Sequence, residues 1–317
     1  MKKVAVVLFN LGGPLTQADV RPFLYNLFSD RFIIGLPAGF RQAVAWLISS
    51  RREKSAQANY ALMGGGSPIA ALTEEQSKAL ETALNASGIA EFKTFVGMRY
   101  WHPFIPEAIK QIEAWGADEI IALPLYPQFS TTTTKTAFVE FDKYYKGKAP
   151  VRYIEDYPVN PEFISAHIDL IREGLKGIDL SECRLLFSAH GLPEKIIQAG
   201  DPYQKQVEQT VAAIMAGLDL TIDHVVCYQS RVGPLKWIGP STDDTIVETV
   251  KADKIPVVVP VAFVSEHIET LVELDIEYRH LADEAGAKAY YRIPALGTHK
   301  GFILALTREV LTRLQRA

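Results

Sequence analysis

The sequence predicts an α/β fold made of two similar Rossmann-like domains, each with a four-stranded parallel sheet flanked by helices. Strand-like apolar runs alternate with helical patterns along the 317 residues, which is typical of parallel sheets built from βαβ units. The first four strands and the last four also end in similar groups of residues. A chain of this length suits two domains better than one core.

Eight strands are predicted, at 3–10, 92–99, 119–126, 151–156, 184–189, 224–229, 256–263 and 287–292. Helical patterns fill most of the intervals, at 68–87, 104–115, 161–175, 202–217 and 241–252. Prolines cluster between 150 and 158, so we expect one domain over 1–156 and a second over 157–317. Whether the last helix packs back on the first domain stays open.

The repeated layout shows best where the first and fifth strands end. The first ends at 10–14 in NLGGP and the fifth at 189–193 in AHGLP. Two such domains facing each other would bind a ligand in the cleft between their carboxyl-end loops. No G-x-G-x-x-G pattern follows the first strand, so a dinucleotide is not expected.

Composition excludes several classes of protein. Apolar residues make up 48% of the chain and charged residues 22%, which are ordinary values for a soluble globular protein. The net charge of −4 gives a nucleic-acid partner no electrostatic support. Cys183 and Cys227 fit small buried hydrophobic residues better than a disulfide framework, and two cysteines cannot hold an all-cysteine iron–sulfur cluster. The basic, apolar start of the chain fits a first strand, because no small-residue cleavage site follows it.

Residues 256–278 are the most informative segment. A continuous apolar run predicts a buried strand, and Ser265 is a good N-cap for the helix that follows. His267 and Glu269 therefore lie where open α/β sheets bind ligands. Glutamates spaced by three, four and four predict one acidic stripe on that helix, formed by Glu266, Glu269, Glu273 and Glu277. Such a stripe suits a cation site, although an ordinary solvated helix face gives the same pattern.

Two further residues could line the same site. His190 directly follows the predicted strand 184–189. It is either a core histidine whose hydrogen bonds are satisfied or a group that converges with His267 and Glu269. Imidazole binds Fe²⁺, Co²⁺ or Zn²⁺ and accepts protons near neutral pH. Trp237 lies in a loop bounded by glycine and proline, where it is either a core anchor or a flat wall for a flat ligand.

The apolar stretch 32–48 is interrupted by Gly35, Pro37 and Arg41 and is too broken to span a membrane. The basic run 51–54 just after it is either a solvated helix end or a binding site for carboxylates or anionic lipid heads. The hydroxyl-rich loop 130–134 has no histidine or aspartate at triad spacing, so nucleophilic hydrolysis has no support.

Seven short motifs along the chain together resemble those of one family. They are NLGGP at 10–14, GGGSP at 64–68, Arg99-Tyr100, SAHGLP at 188–193, GDPY at 200–203, QSRVGP at 229–234 and SEHIETL at 265–271. Over nearly its whole length the chain resembles the ferrochelatases, which insert Fe²⁺ into a porphyrin at the end of heme synthesis. The resemblance implies two facing Rossmann-like domains with the macrocycle in the cleft.

The resemblance also implies residue roles. His190 would take pyrrole protons or bind the metal with Glu269 as its carboxylate partner, and His267 would orient Glu269 through a hydrogen bond. Glu273 and Glu277 would continue an acidic path for protons or iron. Porphyrin-binding positions would be Leu11, Arg52, Tyr60, Ser67, Tyr126, Trp237 and Phe263, with Arg52 at a propionate.

The stretch 32–48 matches the family's membrane-facing lip, so the resemblance implies a cytoplasmic enzyme held peripherally at the inner face of the cell membrane. Thr131 stands where members with an iron–sulfur cluster place cysteine, so neither a [2Fe–2S] cluster nor another resident cofactor is expected. Leu11 stands where many animal members have methionine and some Gram-positive ones tyrosine.

Two other functions remain as alternatives. One is a chelatase for another tetrapyrrole or metal, such as coproporphyrin III or cobalt. The other is a non-catalytic heme-binding protein, against which the His190 and Glu269 pair argues.

Overall fold

The protein forms two compact units, each built on its own parallel sheet. A computed structural model describes residues 1–231, 233 and 235–315. The N-terminal unit comprises Met1–Asp156 and the end of the last helix from Leu306, and the C-terminal unit comprises Tyr157–Ala305. The predicted α/β class with two four-stranded parallel sheets is confirmed. Val232 and Pro234 of the predicted QSRVGP motif lie outside the described residues.

The sheet of the N-terminal unit has the strand order β2-β1-β3-β4. Its strands are β1 Lys3–Asn10, β2 Glu91–Met98, β3 Glu119–Pro124 and β4 Val151–Tyr153. Its helices are α1 Val20–Phe28, α2 Ala38–Ala61, α3 Ile69–Asn85, α4 Ile105–Trp115 and α5 Thr134–Tyr144.

The sheet of the C-terminal unit has the corresponding order β6-β5-β7-β8. Its strands are β5 Cys183–His190, β6 Asp223–Gln229, β7 Ile255–Pro260 and β8 Tyr291–Arg292. Its helices are α6 Pro161–Gly174, α7 Glu194–Gln198, α8 Tyr203–Leu218, α9 Thr242–Lys251, a π-helix Glu269–Glu277 and α10 Tyr278–Glu284. The last helix, α11 Lys300–Gln315, begins in this unit and ends in the other.

The central strands are uniform apolar runs because both faces of each sheet are covered. In β1, every residue from Val4 to Phe9 is fully buried, and in β5 the same holds for Leu185 to Ala189. Parallel sheets with helices on both faces show this pattern in place of apolar–polar alternation. In the N-terminal unit one face of the sheet packs on α4 and α5, where Ile109 and Phe141 join the core.

Several boundaries differ from the predicted ones for simple chemical reasons. Strands β3 and β7 stop at Pro124 and Pro260, because proline has no N–H to continue the ladder. Strand β8 keeps only two residues of the predicted 287–292. The stretch 32–48 is divided, since α2 begins at Ala38, after a loop that contains Gly35 and Pro37.

Both cysteines are free and fully buried, as expected for small hydrophobic residues. Among the described residues no helix is long and apolar enough to cross a membrane.

Candidate active site

The carboxyl ends of three neighbouring strands in the C-terminal unit bring the predicted chemical groups together. His190 is the last residue of β5 and lies opposite Gln229, the last residue of β6. Strand β7 ends at Pro260, and the chain then runs through 261–267 into the π-helix that carries Glu269. The site therefore lies at the edge of the sheet where parallel folds bind ligands.

His190 and Glu269 form a direct pair. The His190 Nδ1 and Glu269 Oε2 atoms are 2.9 Å apart, and the side chains are 37% and 22% exposed. Burial lowers the pKa of His190, but the charge of Glu269 and the hydrogen bond outweigh it and raise the pKa above its usual value. Burial likewise opposes ionisation of Glu269, yet His190 lowers the pKa of that carboxyl to about 2. The pair thus favours a proton on the imidazole and a charge on the carboxylate.

Glu273, four residues farther along, is held by hydrogen bonds from three side chains and one backbone group. It accepts from Gln229 Nε2 at 3.0 Å, from the backbone N and the hydroxyl of Ser230, and from the Tyr278 hydroxyl at 3.1 Å. Burial and the nearby charge of Glu269 nevertheless raise the pKa of Glu273. The pKa values of the two carboxyls are therefore shifted in opposite directions.

Gln229 fixes both acids to the sheet, a role that the sequence did not reveal. Its Nε2 donates to the backbone carbonyl of Glu269 and to the carboxylate of Glu273, each at 3.0 Å. Its Oε1 accepts from the Ser188 hydroxyl at 2.7 Å. Because a buried amide in the last position of β6 reaches both the preceding strand and the π-helix, it sets the height of the acidic groups above the sheet.

His267 does not orient Glu269 in the expected way. Its ring is buried against Phe263, with the ring centroids 4.8 Å apart, and its Nδ1 has no hydrogen-bond partner within the described part of the chain. Burial lowers the pKa of His267, while the charge of Glu269 partly opposes this. The predicted hydrogen bond from His267 to Glu269 is therefore wrong.

The helix starts later than predicted, and this removes Glu266 from the acidic stripe. The backbone carbonyl of His267 accepts the first helical hydrogen bonds, and the backbone N–H of His267 donates to the Thr270 hydroxyl at 2.9 Å. Ser265 is therefore not the N-cap of this helix. Glu266 binds Arg292 and the backbone N of Ala295 instead. The acidic stripe consists of Glu269, Glu273 and the exposed Glu277.

The helix that carries these acids is a π-helix, a form that no sequence pattern predicted. Glutamate spacings of four fit an α-helix equally well, so periodicity cannot separate the two forms. π-Helical segments are rare and are frequently found at functional sites.

Trp237 packs next to His190 through the glycine that follows the histidine. A Cβ on Gly191 would lie 2.9 Å from the Gln229 carbonyl oxygen and 3.3 Å from Trp237 Cε3, so only glycine allows this approach. The indole Nε1 is buried with no hydrogen-bond partner among the described residues. Gly191 therefore gives room to the indole and to the end of β6.

The other predicted porphyrin-binding residues lie on the N-terminal unit. They are Leu11, Arg52, Tyr60, Ser67 and Tyr126. Leu11 follows β1 directly, and its carbonyl accepts from the Tyr100 N–H at 3.0 Å. Tyr60 is buried near the end of α2, whereas Arg52 is exposed on the same helix. The 64–68 turn lies on the chain after β1, because the Ser67 N–H bonds the Pro14 carbonyl at 2.7 Å.

A buried network anchors the segment that precedes the predicted lip, and sequence reasoning missed it. Asp30 at the end of α1 accepts from Arg99 Nη2 at 2.8 Å, from the Tyr100 hydroxyl at 2.7 Å and from the Thr136 hydroxyl. A cavity of 760 Å³ lies beside it, and Arg99 and Glu140 are among its lining residues. The only sequence signal was the Arg99-Tyr100 motif, since its partners come from distant elements.

No closed metal site exists among residues 1–231, 233 and 235–315, because no three histidine, cysteine or acidic side chains there are grouped as ligands. The His190–Glu269 pair combines an imidazole with a carboxylate that stays ionised. Such a pair can exchange protons with a bound ligand, and both groups can contact a cation.

Similar proteins are known for the whole chain. The sequence model of the family described as ferrochelatase matches residues 3–314. The ferrochelatase of Caulobacter vibrioides is 55% identical over 318 residues, covering 100% of this chain and 92% of that protein. The ferrochelatase of Pelagibacter ubique is 51% identical over 318 residues, covering 99% and 92%.

Solved structures with little sequence similarity share the fold. SirB from Bacillus subtilis, solved with Fe³⁺, aligns with a TM-score of 0.55 at 13% identity, covering 99% of this chain and 96% of that one. CbiX, described as the terminal enzyme of siroheme biosynthesis in denitrifying bacteria, aligns with a TM-score of 0.52 at 11% identity over 98% of this chain and 99% of that one. At such identities the likeness concerns the fold alone, whereas the family match and the close relatives span the full length: the chain belongs to the ferrochelatase family.

Proposed function

We propose that this ferrochelatase inserts Fe²⁺ into protoporphyrin to give heme, with His190 and Glu269 as its proton-accepting and metal-binding pair. The observation that carries the assignment is the 2.9 Å contact between the two side chains at the carboxyl end of the sheet. His267 lies buried against Phe263 two residues before Glu269, and Glu273 and Glu277 continue the acidic path. Porphyrin contacts are assigned to Leu11, Arg52, Tyr60, Ser67, Tyr126, Trp237 and Phe263.

The chemistry of metal insertion explains why such a pair is useful. A porphyrin carries two N–H protons that must leave as the metal enters, so the enzyme needs a base close to the ring. Imidazole titrates near neutral pH and can receive a proton when it is neutral. Glu269 keeps its charge over the whole physiological range, because its pKa is about 2. It therefore stabilises the imidazolium that forms after the transfer.

Glu273 supplies the second part of the proton route. Its pKa is raised, so it takes up a proton more readily than Glu269 does. Two carboxyls with pKa values moved in opposite directions divide their tasks, one staying ionised and one exchanging protons. Protons would then leave His190 by way of Glu273 toward the exposed Glu277.

The direct test follows absorbance under anaerobic conditions as purified protein acts on protoporphyrin IX with Fe²⁺, and separately with Zn²⁺. We expect conversion to the metalloporphyrin with both ions. Binding of heme without turnover would instead support the non-catalytic alternative. Turnover only of sirohydrochlorin with Co²⁺ would support a chelatase for another tetrapyrrole and metal, and either result would overturn the proposal.

The identity of the porphyrin is tested by comparing two candidate substrates. Coproporphyrin III has four carboxylate side chains where protoporphyrin has two, and Leu11, one of the proposed porphyrin contacts, is apolar. We expect a higher kcat/KM with protoporphyrin IX, measured for both porphyrins under one set of conditions. A higher kcat/KM with coproporphyrin III would reassign the substrate.

We also propose that the enzyme works without an iron–sulfur cluster or another resident cofactor. Its two cysteines are too few for an all-cysteine cluster and both are buried. Iron and acid-labile sulfide in the purified protein, before substrate is added, should be far below one equivalent. Stoichiometric amounts of both would contradict this.

A peripheral position on the cytoplasmic face of the cell membrane is the proposed location. Phe40 is 73% exposed and Trp46 56% exposed on α2, and Leu36 before it is 43% exposed. The exposed Arg51 and Arg52 follow on the same helix and suit anionic headgroups. Arg41, by contrast, is used within the segment, since it donates to the carbonyls of Ser29 and Leu36.

Flotation with liposomes tests this location. At low salt the protein should float with vesicles that contain anionic lipid and remain behind with neutral ones. Phe40→Ser should reduce the floated fraction, whereas Ile89→Ser, at another exposed apolar position, should not. Equal flotation of all three proteins would contradict the role of this surface.

A further inference from the structure

Arg292 on β8 holds the segment that carries the acidic groups from the side away from His190. Its guanidinium donates from Nη1 to Glu266 Oε1 at 2.6 Å and from Nε to Asp275 Oδ1 at 2.8 Å. A second bond, from Nη2 to the other oxygen of Asp275, makes the Asp275 contact bidentate. The Arg292 side chain is only 10% exposed. Bidentate guanidinium–carboxylate pairs fix orientation as well as distance.

The two carboxylates flank the chemical residues in the sequence. Glu266 lies just before the helix and Asp275 lies within it, so His267, Glu269 and Glu273 are all contained between them. Arg292 itself is fixed to the sheet, because it pairs with Val258 of the central strand β7.

The π-helix is thus held from two sides. On one side Glu273 receives hydrogen bonds from Gln229 and Ser230 at the end of β6. On the other side Asp275 binds Arg292 at the opposite edge of the same sheet. A small movement of the helix changes the contact between Glu269 and His190, and displacements of about 1 Å can cost on the order of a hundredfold in rate.

We propose that Arg292 is a positioning residue, which through Asp275 and Glu266 sets the placement of Glu269 against His190. This inference rests on the proposed function, since it concerns the pair that accepts protons. It assigns no contact with porphyrin or iron to Arg292.

The test compares Arg292→Lys with a matched control. Lysine keeps the charge but cannot form the bidentate contact. Arg184→Lys alters another arginine–aspartate pair of the same unit, which joins β5 to Asp223 of β6 at 2.7 Å at the amino end of the sheet. We expect Arg292→Lys to lower kcat by roughly ten- to a hundredfold with a porphyrin KM within a few-fold. Arg184→Lys should leave both constants near those of the unchanged enzyme.

A double-mutant cycle separates positioning from a general structural role. If Arg292 acts through Glu269, the Arg292→Lys change should cost little when Glu269→Gln is already present, because interacting residues are not additive. Equal cost in both backgrounds would overturn the proposal. So would a lowered melting temperature with unchanged kcat per folded molecule. Failure of the unchanged enzyme to make metalloporphyrin would instead refute the proposed function.

Discussion

The two sheets have corresponding strand orders, yet the strands β1 and β5 end in different kinds of residue. The last residue of the central strand is Asn10 in the N-terminal unit and His190 in the C-terminal unit. Asn10 is 5% exposed and satisfied locally, since it donates to Thr73 Oγ1 at 3.0 Å and accepts from the Leu11 N–H at 2.8 Å. His190 remains partly exposed and pairs with a carboxylate. One position in a repeated scaffold thus holds a buried, satisfied amide in one unit and a partly exposed imidazole paired with a carboxylate in the other.

The units differ in the same way after the third strand. The loop after β3 contains Ser130 and Thr132, whose hydroxyls bond each other at 2.9 Å, and it leads into an ordinary α-helix. The chain after β7 leads into a π-helix with three glutamates. Six of the seven histidines also belong to the C-terminal unit. Titratable chemistry is therefore concentrated on one copy of the fold.

The largest expected effect comes from placing an asparagine, the residue found at position 10, at position 190. His190→Asn should lower kcat by at least ~10²-fold, the usual scale for loss of a general base. Porphyrin affinity should stay within a few-fold, because the imidazole is assigned to proton transfer and metal contact. Turnover and melting temperature are measured on one sample. An active but destabilised variant would show that His190 is a core histidine.

Glu269→Gln should cause a loss of similar order and also move the pH profile. Without the Glu269 charge, burial dominates and the pKa of His190 falls. His190 then loses its proton at lower pH, so the acidic limb of the kcat/KM profile should move to lower pH. Glu277→Gln, farther along the stripe, is the control and should leave the limb in place. A limb that stays fixed in Glu269→Gln would contradict the pairing.

Asn10→Leu should affect stability in place of chemistry. It leaves the buried Thr73 hydroxyl without one partner and removes the acceptor of the Leu11 N–H, which costs about 1–3 kcal/mol for each buried group left unsatisfied. Denaturant unfolding gives the free energy, and turnover per folded molecule gives the control. A large loss of turnover at unchanged stability would mean that Asn10 belongs to the chemical machinery.

The smallest expected effect is a change in the pH dependence of stability, which we assign to His167 in the C-terminal unit. Burial, aided by the charge of His299, lowers the pKa of His167 to about 3. The unfolded chain binds a proton on this histidine below pH 6.5, whereas the folded chain does not until about pH 3. The free energy of unfolding therefore decreases as the pH is lowered through that range, by about 1 kcal/mol per pH unit. His167→Leu should flatten this dependence, as measured by melting temperatures between pH 7 and 5. His280→Gln, at an exposed histidine, should leave the dependence unchanged.

Local signals in the sequence predicted the strands and placed His190 and Glu269 at one edge of the sheet, whereas their pairing was implied by the resemblance to the ferrochelatases. Apolar runs mark the buried strands, and the residues that end neighbouring parallel strands must meet at one edge. Interactions between distant elements could not be predicted in this way. The Asp30 contacts with Arg99 and Thr136, and the Arg292 contacts with Asp275, join segments with no shared spacing. Ser265 was predicted as an N-cap from the neighbouring residues alone. Glu266 instead contacts the distant Arg292, and the helix begins after this contact.

The buried thiols have a practical consequence. Burial raises the pKa of Cys227 to about 12 and also raises that of Cys183, so neither sulfur forms a thiolate near neutral pH. Thiolate is the form that reacts with oxidants and alkylating reagents. The folded enzyme should therefore withstand air and react slowly with dithionitrobenzoate until it is denatured. A reductant in the assay then protects the ferrous ion, and the protein itself can be stored without one.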